Sequence, residues 1–598
     1  MRPAIDLSAR APIALAALAL AWTVSATAAA AASPVQIEGV EDDETRDAMR
    51  AALPDRPKPE TLFDAERIAE EAAARLSEWL RSEGYYAGAA RPSATDDPPR
   101  ARVRIDFGRR FAFASPTLTL DTDESAPTTA ARAAIAQHVA PGRPARAADV
   151  LAAEQAALDA LRTAGFAEAA IGPRQAIVDH ATGEMRVAFA AALGAPVRLG
   201  RLRTQPPDLV RQSFLDKLPT WRPGDSYTPE HVASVRRALV STGAFARVDA
   251  ALAPPAEGES AATRDVLVRL EASEPRTIAL GASWSSTEGG GVDAEWDYRN
   301  ALKRAETFSL GLRVADREQR LSAGLFLPHD VGLGRARRYT AELVREEARP
   351  YDRVGALVGV AVEAQRTVRS ALTYGATLSA DAYDATAGID NAIVLSTFAG
   401  LRRDTTNDRF DPRHGAILDG RIEPAVSTGS ATVAFARATG EARAFLTPER
   451  DDGRDGRFTY AARLRAGWVQ PIAGDAADLP LDRRFYAGGG GSVRGYAFQS
   501  IFPQDLLARD DPPGGQGLLE SSAEVRARFG GGWGAAAFVD GGSAFNAADE
   551  LGDIRWGAGI GLRYDLGFGP LRLDVAAPLN KRTRDKAVAF YVSFGQAF

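Results

Sequence analysis

Two textures divide the chain. In the first half, apolar residues recur at helical spacing, three or four positions apart. Ile68, Ala72, Leu76 and Leu80, with Trp79 beside the last, make one such run. Leu151, Leu158 and Leu161 make a second, and Val232, Val235 and Leu239 a third. Each run stops at a glycine with an aromatic just after it: Gly84-Tyr85-Tyr86, Gly165-Phe166 and Gly243-Ala244-Phe245. A glycine past the last apolar residue takes the left-handed helix-ending conformation without a Cβ clash, and the aromatic is expected to open a strand. Thr228-Pro229 reads as an N-cap followed by proline at the first helical position. The three glycines lie roughly 80 residues apart, a period that suggests one small domain repeated three times. Strand-like runs at 35–40, 101–107, 196–202 and 266–270 bracket the helices and give the order β-α-α-β-β. The repeats are bounded at 33–108, 109–193 and 194–274. Three unrelated αβ pieces sharing a helix stop are the alternative.

From about Arg276 the period changes to two. Phe308, Leu310, Leu312 and Val314 alternate with Thr307, Ser309, Gly311 and Arg313. Ala523, Val525 and Ala527 alternate with Glu524, Arg526 and Arg528, and Leu571, Leu573 and Val575 with Arg572 and Asp574. Near the end, Val588, Phe590, Val592 and Phe594 alternate with Ala589, Tyr591 and Ser593. Such strands carry an apolar and a polar face. A soluble sandwich buries the apolar face in a core; a membrane barrel turns it to lipid and lines its lumen with the polar one. At about 20 residues for a strand and its connection, 275–598 holds roughly sixteen antiparallel strands.

Four further features bear on these elements. The start has Arg2 and Arg10, an apolar run from Pro12 to Val24, and Ala-x-Ala sites between Ser25 and Ala32, the three-part pattern of a signal peptide over 1–32. An uncleaved anchor is the other reading of that segment. Export favours the barrel over the sandwich, and a charged content of 25% is compatible with it, because only alternate strand residues meet lipid. With no cysteine, disulfides and thiolate metal sites are excluded. With a net charge of −6, there is no general attraction to nucleic acid.

Candidate chemistry is sparse. Gly488 to Gly491 lacks the Gly-Lys-Ser/Thr ending of a phosphate loop. The five histidines, His138, His180, His231, His329 and His414, show no ligand spacing. No nucleophile, base and orienting acid form a recognisable set. No catalytic residue, metal or cofactor is expected, and the chain reads as a non-enzyme.

Four stretches resemble the BamA/TamA superfamily of outer-membrane assembly factors. Val493-Arg494-Gly495-Tyr496 matches that family's Val-Arg-Gly-Tyr/Phe mark, carried on a long loop folded back into the barrel, here around 483–517. Phe538, Asp540 and Gly542 match its Phe-x-Asp-x-Gly strand. Asp411-Pro412-Arg413-His414-Gly415 looks like its Asp-Pro-x-x-Gly stretch, and Phe594-Gly595-Gln596-Ala597-Phe598 like its aromatic C-terminus. The three repeats resemble POTRA domains. Their number, together with the barrel size and the Gly-Gln-Ala-Phe ending, is most similar to the TamA type.

The resemblance implies a bacterial outer-membrane barrel, with POTRA domains in the periplasm, that helps insert or secrete clients such as autotransporters. It implies contact between Arg494 and Asp540; alternation independently puts Asp540 with Phe538 on the face opposite Ala535, Ala537 and Val539. It also implies a lateral seam between the first strand (Ile278, Leu280, Ala282, Trp284) and the last (Phe590, Val592, Phe594, Gly595, Phe598). The last strand doubles as the protein's own insertion signal, and Gly595 has no side chain to pack there. The partners implied are unfolded outer-membrane or autotransporter clients, outer-membrane lipid, and an inner-membrane-anchored TamB-like protein reached through the POTRA domains. A two-partner-type secretion pore and a barrel taking part in lipid transport are the rival functions.

Overall fold

The computed structural model describes residues 34–121, 125–254, 263–348, 351–385, 388–449, 455–503, 513–547, 553–567, 569–583 and 585–594. The proposed signal segment lies outside them, as do Gly595 and Phe598 and the side chain of Phe594. No helix among the described residues is long and apolar enough to cross a membrane. The chain divides into two compact units, one up to Gly194 and one from Ala195.

The first unit holds two αβ domains. One consists of β1 (Val35–Glu38), α1 (Asp43–Ala51), α2 (Leu62–Ser82), β2 (Ala89–Thr95) and β3 (Arg100–Asp106), with sheet order β1-β3-β2. Thr61 caps α2 by accepting the Asp64 N–H at 3.1 Å. Ile68, Ala72, Leu76 and Leu80 then lie on the face buried with Val103 and Ile105. Gly84 ends the helix at φ +93°. The other domain has β4 (Ala112–Phe113), β5 (Thr117–Leu120), α3 (Ser125–His138), α4 (Ala147–Thr163), β6 (Ala170–Ile171), β7 (Gln175–Asp179) and β8 (Glu184–Ala192). All four other strands pair with β8. Here the helix face expected from leucine spacing holds at Leu161 and, half-buried, at Leu158, but not at Leu151. Leu151 is exposed, and the buried face is Val150, Ala153, Ala157 and Leu161. In so alanine-rich a helix, small residues pack the core.

The second unit opens with β9 (Arg198–Gln205), α5 (Gln212–Leu215), α6 (Pro229–Ser241), β10 (Phe245–Leu252) and β11 (Thr263–Ala272), in sheet order β10-β11-β9. Thr228 caps α6 on His231 N–H, with Pro229 first in the helix. The expected β-α-α-β-β order is therefore found in the first and third domains, while the second adds the two-residue strands β4 and β6 to it. The aromatic after the glycine opens a strand only at Phe245. In the other two domains the strand starts four residues later, and Tyr85 packs its ring edge-on to Phe107 while Phe166 is buried in the core.

The rest is a closed barrel of sixteen antiparallel strands in sequence order. They are β12 (Arg276–Ser285), β13 (Gly289–Arg299), β14 (Thr307–Ala315), β15 (Glu318–Leu327), β16 (Arg335–Glu347), β17 (Asp352–Thr367), β18 (Ser370–Asp384) and β19 (Asn391–Asp404). Then follow β20 (Gly415–Gly429), β21 (Val433–Leu446), β22 (Phe458–Ala473), β23 (Gly517–Arg528), β24 (Trp533–Phe545), β25 (Arg555–Asp565), β26 (Pro570–Pro578) and β27 (Ala589–Phe594). Phe308, Leu310, Leu312 and Val314 are all exposed on the outside, whereas Glu524, Arg526, Arg572 and Asp574 are buried inside. A soluble sandwich would show the reverse, so the alternation belongs to a lipid-facing barrel.

Closure is uneven. The β12–β13 register runs unbroken from Arg276↔Tyr298 to Ser285↔Gly289. Among the described residues, β12 and β27 pair only at Trp284↔Val592 and Ser285↔Tyr591. At the opposite end of the barrel wall from this junction, two turns hold the β9–β11 domain. Lys303 O accepts the Arg211 N–H at 2.8 Å, Asn300 Nδ2 donates to Leu209 O at 3.0 Å, and Lys217 pairs with Asp330 at 2.9 Å.

Candidate functional site

The connection from β22 to β23 starts at 474, earlier than the expected 483, and folds into the lumen. Its stem is tied to the wall away from the seam. Asp482 accepts from Arg353 Nη1 at 2.8 Å and from Tyr383 OH at 2.6 Å. Arg483 reaches Glu423 and Ser379. These residues sit on polar faces of β17, β18 and β20, so the stem crosses onto strands far from its own in sequence.

At the loop's far end Arg494 is 2% exposed. Its Nε and Nη2 donate to the two oxygens of Asp540 at 2.7 and 2.9 Å, the parallel fork that suits arginine to a carboxylate. Its backbone N–H donates to Asp540 as well, at 3.1 Å. Nη1 donates to Glu524 at 3.1 Å and to Asp574 at 3.2 Å. The guanidinium lies 3.3 Å from the centroid of the Phe538 ring, a cation–π contact. Glu524 also pairs with Arg526 and Arg563, and Asp574 with Arg563 and Arg572. Three buried carboxylates thus share four guanidiniums from the loop and β23, β25 and β26.

The neighbouring positions make room for the loop. Val493 packs where a Cβ at Gly542 would stand. Gly495, at φ +99°, lies so close to the Ala577 backbone that a Cβ would stand 2.9 Å from its carbonyl carbon. Tyr496 is fully buried and donates to Asn580 Oδ1 at 2.7 Å. On β25, a Cβ at Gly557 would run into the Arg494 carbonyl and one at Gly559 into the Phe538 ring. That lumen-facing glycine row is the floor on which the loop rests.

The structure thus brings Arg494 together with Phe538 and Asp540. Sequence reasoning missed that Glu524 and Asp574 share this arginine. Both were visible as charged residues on the polar faces of alternating strands, but which strands surround the loop depends on barrel closure. The Asp411 stretch lies elsewhere, in the β19–β20 turn. Asp411 pairs with Arg528, and Arg413 and His414 both meet Asp455, which locks adjacent turns. Along the seam, Ile278, Leu280 and Trp284 are exposed, as are Ala282 and Phe590, and Val592 is half-buried.

The Omp85 superfamily domain matches residues 300–598. The chain belongs to the Omp85 superfamily. Among solved structures, this Omp85 chain is similar to BamA from Haemophilus ducreyi lacking POTRA domains 1–3, at 16% identity and a TM-score of 0.67. That match covers 81% of this chain and all of the other. CdiB from Acinetobacter baumannii is similar at 15% identity and a TM-score of 0.46, covering 90% of this chain and 98% of that one. The Omp85 barrel is accordingly an outer-membrane β-barrel of the BamA kind, carrying N-terminal α/β elements consistent with POTRA domains.

Proposed function

We propose that this protein helps client proteins into the outer membrane by lending them the free edge of its first strand. One observation carries the reading: among the described residues, the junction of β12 and β27 pairs at two positions, while residues 276–282 are exposed on both faces. A client strand entering lipid brings unpaired donors and acceptors, each costly in hydrocarbon. An edge that can be uncovered satisfies them by strand addition. In this reading Ile278, Leu280, Ala282 and Trp284 line the opening side, and Phe590, Val592, Phe594, Gly595 and Phe598 form the other side and the protein's own insertion signal. The αβ domains are POTRA domains in the periplasm, which hold unfolded outer-membrane or autotransporter clients at their sheet edges. They also reach an inner-membrane-anchored TamB-like partner.

A photo-crosslinking residue at Leu280, in living cells, tests this. Client adducts are expected there and not at Leu395, an outward residue of β19 away from the seam. Equal adducts at both positions would sink the reading. Adducts confined to the lumen-facing Arg465 would favour a secretion pore instead.

A further inference from the structure

Among the described residues the seam's ladder has two pairs, and the two strands are also joined through a third body. Glu288, in the turn between β12 and β13, accepts the Gly490 N–H at 2.7 Å. Tyr591, on β27 and 2% exposed, accepts the Gly495 N–H on its hydroxyl at 3.0 Å. The lumen loop therefore holds one strand of the seam by each end of its 490–495 segment. The glycine run 488–491 is what permits this approach. A Cβ at Gly489 would stand 2.8 Å from the Glu288 carboxylate, and one at Gly490 would stand 3.0 Å from the Tyr591 ring. Gly488 and Gly489 also sit at φ +102° and +107°, where L side chains are strained.

We propose that the loop is a clasp across the seam, and that its two arms release unequally. The loop is fixed to the far side: Arg463 donates to the carbonyls of Gly491 and Ser492, and Arg494 is buried against β23, β24 and β26. β27 is laddered to β26 from Leu571↔Phe594 to Ala576↔Ala589, so it belongs to the same body as the loop. The β12–β13 hairpin does not. Opening is then a departure of that hairpin, in which Glu288 lets go of Gly490 and Ser286 lets go of Phe590. Ser286 N–H donates to Phe590 O at 2.9 Å, and the Ser286 hydroxyl accepts the Phe590 N–H at 2.9 Å. β27 stays with the loop through Tyr591. The clasp deepens the seam function proposed above, but its test involves no client, so absence of client adducts at Leu280 would leave it standing.

Hydrogen–deuterium exchange on the full-length protein in lipid nanodiscs reads each arm separately. In Glu288→Ala, amides 283–286 should exchange roughly tenfold or more faster, as expected for loss of a hydrogen bond to a charged acceptor. Amides of β16 to β19 should be unchanged, and those of 492–495 nearly so. Glu288→Gln, which keeps an acceptor oxygen, should fall between parent and alanine. Tyr591→Phe, which removes one oxygen, should accelerate Gly495 and 590–592. Parent rates at 283–286 in Glu288→Ala and at 590–592 in Tyr591→Phe would overturn the clasp. Equal acceleration throughout β16 to β19 would overturn it too, because it marks a general loss of stability.

Discussion

Arg494 has three carboxylate partners, and they are not equivalent. Asp540 receives both arms of the fork and the backbone N–H, with Ser522 as its other donor. Glu524 and Asp574 each keep further arginines if Arg494 is removed. Arg494→Ala therefore strands Asp540 above all, at a cost of about 3–5 kcal/mol in loop attachment. Asp540→Ala leaves Arg494 with two acids and should cost less. Adding it to Arg494→Ala should recover part of the loss, because the stranded charge is gone. Protease sensitivity of the 474–503 segment, with the barrel still heat-modifiable on gels, measures this. An Arg494→Ala/Asp540→Ala protein more sensitive than either single variant would refute it. A pair taken alone predicts instead that the double variant is little worse than either single one. Arg494 and Asp540 could be singled out in the sequence because each sits in a distinctive short motif. Glu524 and Asp574 could not be joined to them, since a period of two gives a residue its face and not its neighbours.

At the scale of elements, the junction between the β9–β11 domain and the barrel contains a buried histidine. His329 Nε2 lies 3.1 Å from Ala238 O, and Nδ1 accepts the Gly334 N–H at 3.0 Å. Only the neutral tautomer with hydrogen on Nε2 satisfies both. Burial holds the ring below its ordinary value of 6.5. The unfolded turn takes up a proton that the docked one resists, so the stability contributed is complete above about 6.5 and declines as pH falls towards the lower folded value. Beside it Asp330 pairs with Lys217 and Arg337. Protection factors of amides 328–334, taken relative to the intrinsic exchange rate at each pH, should therefore fall between pH 7.5 and 5.5, and His329→Gln should abolish that fall. A second element-scale expectation concerns β25. Gly559→Val puts a side chain into the space of the Phe538 ring, and so should release the Arg494 loop while the barrel still inserts. Unchanged protease resistance of 474–503 in that variant would contradict it. Helices were legible where large residues mark the face, as Ile68 to Leu80 do in α2. In the alanine-rich α4 leucine spacing places Leu161 but not Leu151, because Val150, Ala153 and Ala157 fill the core there. The strand starts after Tyr85 and Phe166 were also missed, since a buried aromatic and a strand-opening aromatic look alike in sequence.

For the molecule as a whole, alternation and length suffice for a barrel of about sixteen strands, since both follow from geometry that any such wall must obey. What they do not give is the strength of each junction, which depends on atoms brought together across the entire chain. The intact protein should run at a different apparent mass on gels before and after boiling, and identical mobility would contradict the closed barrel. Phe598→Asp should lower the yield in the membrane, because it puts a charge into the apolar set proposed as the insertion signal, and normal yield would remove the terminus as that signal.

Every other neighbour in the wall is a hairpin, formed between segments adjacent in the chain. The seam alone joins residues 304 apart, as in Phe590 and Ser286. Bringing such distant ends together carries a chain-entropy cost that grows with the logarithm of the loop between them, and among the described residues few pairings reward it. Hairpins can therefore be added one at a time to a growing open sheet, and ring closure comes last. The final step in the protein's own biogenesis and the first step of the opening proposed for it are then the same event run in opposite directions. An open sheet would be a late folding intermediate that the mature protein revisits.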